Sequence, residues 1–426
     1  MEIINIDIPF GKGSIKAEIP KKNFIETVDM DPIPLIDDPV LAVTKSLEDP
    51  IGSRPLGEIA KGKRNACIVV FDITRPVPNS IILPPILRTL HDKGMSVDDI
   101  TLLVATGLHR LNLGDELIYM LGAEICSKYN IVSHDARNAE SHKFLGFTSK
   151  GTLIEVDRTF LEADLKILTG SIEPHFMAGF TGGRKGICPG ISSINTIRGA
   201  HSPEILEPEE ARIGNLEGNP LHEMAMEISG KTGVDFICNV VLNKDRKIIG
   251  VFSGDLEEAY IKGTEFCKKN TEIKCKQQVD VVLTTNGGYP LDATLYQAVK
   301  GMVGALPLVK KGGTIIIASE CSEGLGSNEF SELLRVNTDL DAFVEQLYHN
   351  NYFVIDQWQI EELAKAKKKA DIIVYCRGIK EEDFPSHLIK KTNDINETIL
   401  SALVKYGENA TISVIPDGPY VIPKIE

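Results

Sequence analysis

Apolar runs of six to eight residues, rich in β-branched side chains, recur along this chain and constrain its fold more than any other feature. They are "ACIVVFDI" (66–73), "ITLLVATG" (100–107), "LKILTGSI" (165–172), "FICNVVL" (236–242), "VDVVLTTN" (279–286), "GTIIIAS" (313–319) and "DIIVYC" (371–376). A strand with one wet face alternates apolar and polar residues. A continuous run needs cover on both faces, as in a mainly parallel sheet. Helix-patterned segments lie between the runs, at 79–94, 114–129, 255–268 and 356–370. Strand–helix alternation restricts the fold to α/β layers with helices on both sheet faces. A chain of 426 residues exceeds one core, so the expectation is two α/β domains with mainly parallel sheets and an interdomain active-site cleft. The polar, lysine-rich stretch "CKKNTEIKCKQQ" (267–278) marks the break. This gives an N-terminal domain over 1–270 and a C-terminal domain over 278–408. The tail 410–426 is expected to cross back and join the first domain.

Charge and cysteine usage exclude several function classes. A formal net charge of −14 without a basic stripe argues against nucleic-acid binding. A cleft can still be locally basic, so a small anionic substrate stays open. The opening "MEIINIDIPFGKGS" lacks the basic-then-apolar pattern of a secretory leader. No apolar run approaches the roughly 20 residues of a membrane helix. Eight scattered cysteines without a C-x-x-C pair fit free thiols in a reducing cytoplasm.

Polar residues gather where the apolar runs end. "IVVFD" passes into "ITRP", placing Asp72 and Arg75 just beyond a strand, and "LLVATG" passes into "LHR", exposing His109. "KILTGSI" passes into "EPH" at His175, and "VVLTTN" into "GGYPLD" and a helix carrying "YQAVKG". Open α/β sheets bind ligands outside the carboxyl ends of their strands, so these sites point to one cleft. Pro76 and Pro78 stiffen the turn that carries Thr74 and Arg75. An arginine so presented suits bidentate recognition of a carboxylate or phosphate. Asp292 is a candidate N-cap for the following helix, on which Gln297 and Lys300 share a face. His91, His134, His142, His222, His349 and His387 stand in polar or helical context and read as structural or solvated. Trp358, the only tryptophan, reads as a buried anchor rather than a lid contact.

The stretch "EPHFMAGFTGGRKGICPGI" (173–191) looks like a phosphate loop and fails both nucleotide tests. A Walker loop needs G-K-[ST], but Arg184 separates Gly183 from Lys185 and Gly186 follows. The G-x-G-x-x-G spacing of a dinucleotide site is missing, as are H-E-x-x-H and C-x-x-C metal spacings. What remains is a loop whose glycines allow close approach to the main chain at Lys185. A lysine so placed can be a covalent attachment point, and His201 could ligate a metal carried by the attached group. A different reading makes the loop and Arg184 an anion cradle in a non-catalytic binding protein.

The set "FDITRPVP", "ATGLH", "GSIEPHFMAGFTGGRKGICPGI", "RGAH" and "LYQAVKG" resembles the nickel-pincer lactate racemase family over residues 72–300. The resemblance implies an isomerase that interconverts D- and L-lactate by proton-coupled hydride transfer. It implies a cofactor, nickel(II) pyridinium-3,5-bisthiocarboxylic acid mononucleotide, attached covalently to Lys185, with His201 as the protein's nickel ligand. It also implies His109 and His175 as the acid/base pair, and cofactor contacts from Asp72, Ile73, Thr74 and Arg75. Substrate contacts fall to Arg75, Gln297 and Lys300, and cofactor-maturation proteins become expected partners. Related 2-hydroxy acids (malate, 2-hydroxyglutarate, a sugar acid) are alternative substrates. Hydride transfer suits lactate because removing a proton beside an ionised carboxylate accumulates prohibitive negative charge, and an imidazole near its ordinary pKa of ~6.5 can give and take the hydroxyl proton.

Overall fold

The computed structural model describes residues 2–349 and 352–426. The chain forms two compact units, the first from residues 32–173 and 177–269 and the second from residues 2–31, 174–176 and 270–426.

In the first unit, the run expected at 66–73 becomes the strand Ala66–Phe71, buried at every residue. It lies inside a six-stranded sheet ordered Ile248–Gly254, Phe236–Leu242, Leu165–Ser171, Ala66–Phe71, Ile100–Ala105, Asn130–Ser133. All neighbours are parallel except the pair at the Ile248–Gly254 edge. The helix Asn79–Asp92 presents Ile82, Leu83, Ile86 and Leu90 to this sheet, packing against Ile68, Val70, Leu102 and Val104. That spacing is the apolar stripe of a 3.6-residue period. The segment 114–129 departs from expectation by forming two helices, Asp115–Leu121 and Ala123–Lys128. Gly122 between them takes φ +88, outside the right-handed helical region, and a helix cannot pass through it.

In the second unit, six parallel strands run in the order Lys390–Thr392, Ala370–Tyr375, Val309–Ala318, Val279–Thr285, Ile412–Ile415, Phe24–Thr27. Two domain assignments made from sequence are corrected here. The tail strand Ile412–Ile415 lies in this sheet rather than in that of the first unit, bonded on both edges and buried throughout. The N-terminal hairpin, Ile3–Phe10 with Gly13–Pro20, also belongs to this unit. Its Ile8, Phe10, Ala17 and Ile19 pack with Val281, Leu283, Ile399 and Val414. A two-stranded hairpin cannot bury its own apolar face, so it must borrow a core, and sequence periodicity does not say whose. The stretch 267–278, in which the chain passes from one unit to the other, holds the end of helix Glu258–Thr271 and the strand Glu272–Cys275, which pairs with Ile422–Ile425.

Candidate active site

Asp72 follows the strand Ala66–Phe71 directly and is buried at 4% exposure. One carboxylate oxygen accepts the Thr74 hydroxyl at 2.6 Å and the other faces Nδ1 of His109 at 2.6 Å. Burial on its own would raise the Asp72 pKa. The His109 charge and hydrogen bond, the Thr74 hydroxyl and the Arg75 charge outweigh it and hold the group below the usual carboxylate range. An ionised carboxylate can only accept, so His109 donates from Nδ1. In the neutral ring the lone pair is then on Nε2. Ring exposure of 46% leaves His109 open to solvent on one side. Arg75 pairs with Glu173 at 3.2 Å, both largely buried. The main chain at Ile73 donates to Oδ1 of the buried Asn112 at 3.3 Å, which steadies the turn.

The glycine-rich segment is built around Arg184 rather than around a bound anion. Its guanidinium is fully buried and donates to the carbonyls of Phe180 at 3.0 Å and Ala178 at 2.8 Å, and to the Tyr260 hydroxyl. It also lies over the Tyr260 ring, 4.5 Å from the centroid. This corrects the anion-cradle reading, because the charge is turned into the protein's own carbonyls. The glycines serve the same packing. Gly182 and Gly183 take φ +79 and +49, and added Cβ atoms would meet Asn239 Oδ1 at 2.5 Å and the Tyr260 ring at 2.7 Å. Lys185 sits in the tight turn Gly183–Gly186 at 9% exposure. Burial pushes the Cys188 thiol up to about 12, so it stays protonated and unreactive.

His201 caps the helix Ile194–Ala200 and its Nδ1 faces the Ile197 carbonyl at 3.0 Å. A carbonyl only accepts, so Nδ1 carries the proton and Nε2 holds the lone pair, the tautomer a metal ligand needs. Burial lowers its pKa to about 4, and the nearby charge of Lys185 adds to the fall. Lys185 and His201 are therefore electrostatic neighbours, with chemistry that fits a metal-bearing group attached at the lysine. No group of three or more His, Cys, Asp or Glu side chains that could hold a metal occurs among the described residues. The turn before His109 joins this segment through Gly107 N–H to the Gly190 carbonyl at 2.9 Å.

The remaining predicted residues lie in the second unit. His175 is buried and stacks on Phe176 with ring centroids 4.9 Å apart, and Lys300 Nζ stands 6.0 Å from the Phe176 ring. Gln297 and Lys300 occur on helix Leu295–Gly304, where Gln297 Oε1 is buried without a hydrogen-bond partner in the protein. An orphaned acceptor of this kind suits a ligand donor. Asp292 is not the cap of that helix. Thr294 caps it, while Asp292 accepts the N–H groups of Gly11 at 2.6 Å and Glu320 at 3.2 Å. Trp358 is the buried anchor, donating to the Tyr296 hydroxyl at 2.9 Å.

Comparison with known proteins gives this constellation a family. Residues 10–214 match the lactate racemase N-terminal domain and residues 274–423 the lactate racemase C-terminal domain. The chain belongs to the lactate racemase family. It is 34% identical to a lactate racemase of Thermoanaerobacterium thermosaccharolyticum over 98% of this chain and 99% of that protein. It is 36% identical to one from Lactiplantibacillus plantarum over 99% of this chain and 100% of that protein. The structure of the T. thermosaccharolyticum lactate racemase apoprotein superposes with a TM-score of 0.93, at 34% identity, covering 99% of this chain and 100% of that one. A Thermotoga maritima protein shares the fold at a TM-score of 0.72 and 18% identity, covering 92% of this chain and 100% of that one. In this member of the lactate racemase family, Glu173, Asn112 and Tyr260 support the site, and sequence reading gave them no role. Glu173 stands beside His175 in "EPH", but nothing in that spacing shows that it grips Arg75. Among the described residues no helix is long and apolar enough to cross a membrane.

Proposed function

We propose that this protein racemises lactate, using a nickel-pincer mononucleotide attached to Lys185 and ligated by His201. The observation that carries the reading is the Asp72–His109 pair, a 2.6 Å contact between a carboxylate held ionised and an imidazole that keeps Nε2 as its lone-pair nitrogen. When bound, the cofactor supplies a hydride acceptor and donor at its metal-bearing ring. The chain's own residues do the rest. His109 Nε2 takes the hydroxyl proton of one lactate enantiomer, while Asp72 stabilises the imidazolium that forms and fixes the ring. His175 performs the same exchange for the other enantiomer, because the hydroxyl lies on the opposite side when the carboxylate is held. Arg75 and Lys300 carry the positive charge for that carboxylate, and the side-chain amide of Gln297 donates to it. Glu173 keeps Arg75 in one orientation. Cofactor-maturation proteins are partners under this reading, and the cytoplasm is the compartment.

Cofactor-loaded enzyme offered single enantiomers of lactate, malate and 2-hydroxyglutarate tests the substrate, with lactate expected to turn over fastest. Failure to racemise lactate alongside rapid turnover of another acid would overturn that choice. Intact mass tests the attachment: a cofactor-sized increment present in the native chain and absent in Lys185→Arg is expected. His109→Ala and His175→Ala should each lose most turnover and keep the increment.

A further inference from the structure

His134 read as an ordinary histidine in polar context, yet it is among the most buried polar residues of the first unit, at 1% exposure. Its two ring nitrogens both face acceptors. Nδ1 lies 2.8 Å from Oδ2 of Asp157 and Nε2 lies 3.1 Å from the carbonyl oxygen of Ser192. The Ser192 carbonyl has no proton to give, so Nε2 must donate. One further proton lies between Nδ1 and Asp157. Imidazole is the stronger base of the two in general, and the other Asp157 oxygen accepts the Thr159 N–H at 2.9 Å, which favours the carboxylate. The proton therefore resides on the ring.

The neighbouring groups agree with a charged ring. His142 meets His134 edge-on, with centroids 5.1 Å apart and planes at 88°. Its Nδ1 lies 2.8 Å from the Asn138 carbonyl and its Nε2 is buried without a partner, the pattern of a neutral imidazole. Burial first and then the charge of His134 push the His142 pKa down. Asp157 and Glu155 act on His142 in the opposite sense, and Asp157 adds to the burial that raises the Cys67 thiol.

We propose that His134 is a buried imidazolium acting as a positioning residue, one that ties the end of the Lys185 segment to the turn presenting His109. The side chain holds Ser192, while Asp157 N–H holds the Ile191 carbonyl at 3.0 Å. The main chain of His134 receives the Thr106 hydroxyl and donates to the Val104 carbonyl at 3.1 Å. Thr106 in turn accepts the N–H of His109 at 2.9 Å. A doubly donating ring makes this tie without a tautomer that leaves one buried acceptor bare. Its catalytic consequence rests on the roles given above to Lys185 and His109; its charge state does not.

Neutron diffraction from perdeuterated native crystals at pH 8 tests the charge directly. Deuterons on both ring nitrogens of His134 and none on Asp157 are expected. A single ring deuteron, or one on Asp157 Oδ2, overturns the proposal. For the positioning role, His134→Gln in the cofactor-loaded enzyme should lower kcat at least tenfold with the lactate KM within threefold of native. Hydrogen exchange in residues 186–193 should quicken at least tenfold while Leu165–Ser171 stays protected. Native kcat with native exchange in the variant would refute positioning. If the variant does not fold, the neutron result on the native chain still decides. Absence of lactate turnover in the native loaded enzyme would sink the functional reading and leave the deuteron count standing.

Discussion

Replacing His222 with phenylalanine is expected to make the first unit less sensitive to acid. His222 lies in the first turn of helix Pro220–Thr232 and stacks on Tyr260 with centroids 6.2 Å apart; its Nδ1 is buried without a partner. Burial, and then the charge of Arg184, lower its pKa to about 3. The N-terminal end of a helix also disfavours a cation. In the unfolded chain the same ring titrates near ~6.5. Between those values the unfolded state binds a proton that the folded state refuses. Stability is therefore complete above about pH 6.5 and falls as pH drops, levelling off only near the folded value. At pH 5 the unfolded ring is almost fully protonated and the folded ring almost fully neutral. The linkage costs about 2 kcal/mol there and only a few tenths at pH 7. Phenylalanine keeps the ring against Tyr260 and cannot titrate. Native-state hydrogen exchange of peptides over Ala66–Phe71 and Leu165–Ser171, compared between the two proteins at each pH, cancels the intrinsic exchange chemistry. On going from pH 7 to 5, opening of the native sheet should rise ~25-fold more than that of the variant. Equal rises in the two proteins would refute the assignment of a buried neutral His222.

Gly183→Ala should destabilise the first unit by about 1–3 kcal/mol in thermal or urea unfolding, because alanine must adopt a left-handed φ against the Tyr260 ring. Gly186→Ala, whose Cβ would meet nothing closer than 3.6 Å, serves as control and should cost under about 1 kcal/mol. Equal costs would show that Tyr260 does not set the need for glycine at 183. Asp72→Asn should lower kcat on lactate by ~100-fold or more in loaded enzyme, since a neutral amide neither fixes the His109 tautomer nor stabilises its cation. A rate within a few-fold of native would remove Asp72 from the acid/base machinery.

Much of the layer architecture was legible in the chain itself. Continuous apolar runs such as 66–71 and 165–171 form buried parallel strands because only a position covered on both faces tolerates them. The glycine-rich segment was legible as special but not as what it is. Its glycines answer to Tyr260 and Asn239, which lie more than fifty positions further along the chain, and only folding brings those side chains against it. Arg184 shows the same limit. Beside Lys185 in sequence it reads as a second cation for a ligand, yet the fold turns it into carbonyl oxygens and buries it completely.

Residue type and local spacing, then, determined that His109, His175 and Lys185 stand at strand ends and loops, because strand termination is a local property of the chain. Tertiary structure alone decided that Asp72 meets His109, that Glu173 grips Arg75 and that His134 bridges Asp157 to Ser192. Protonation, tautomer and orientation follow from such partners. The partners come from segments 23 to 98 residues apart, a separation at which sequence spacing carries no geometric information.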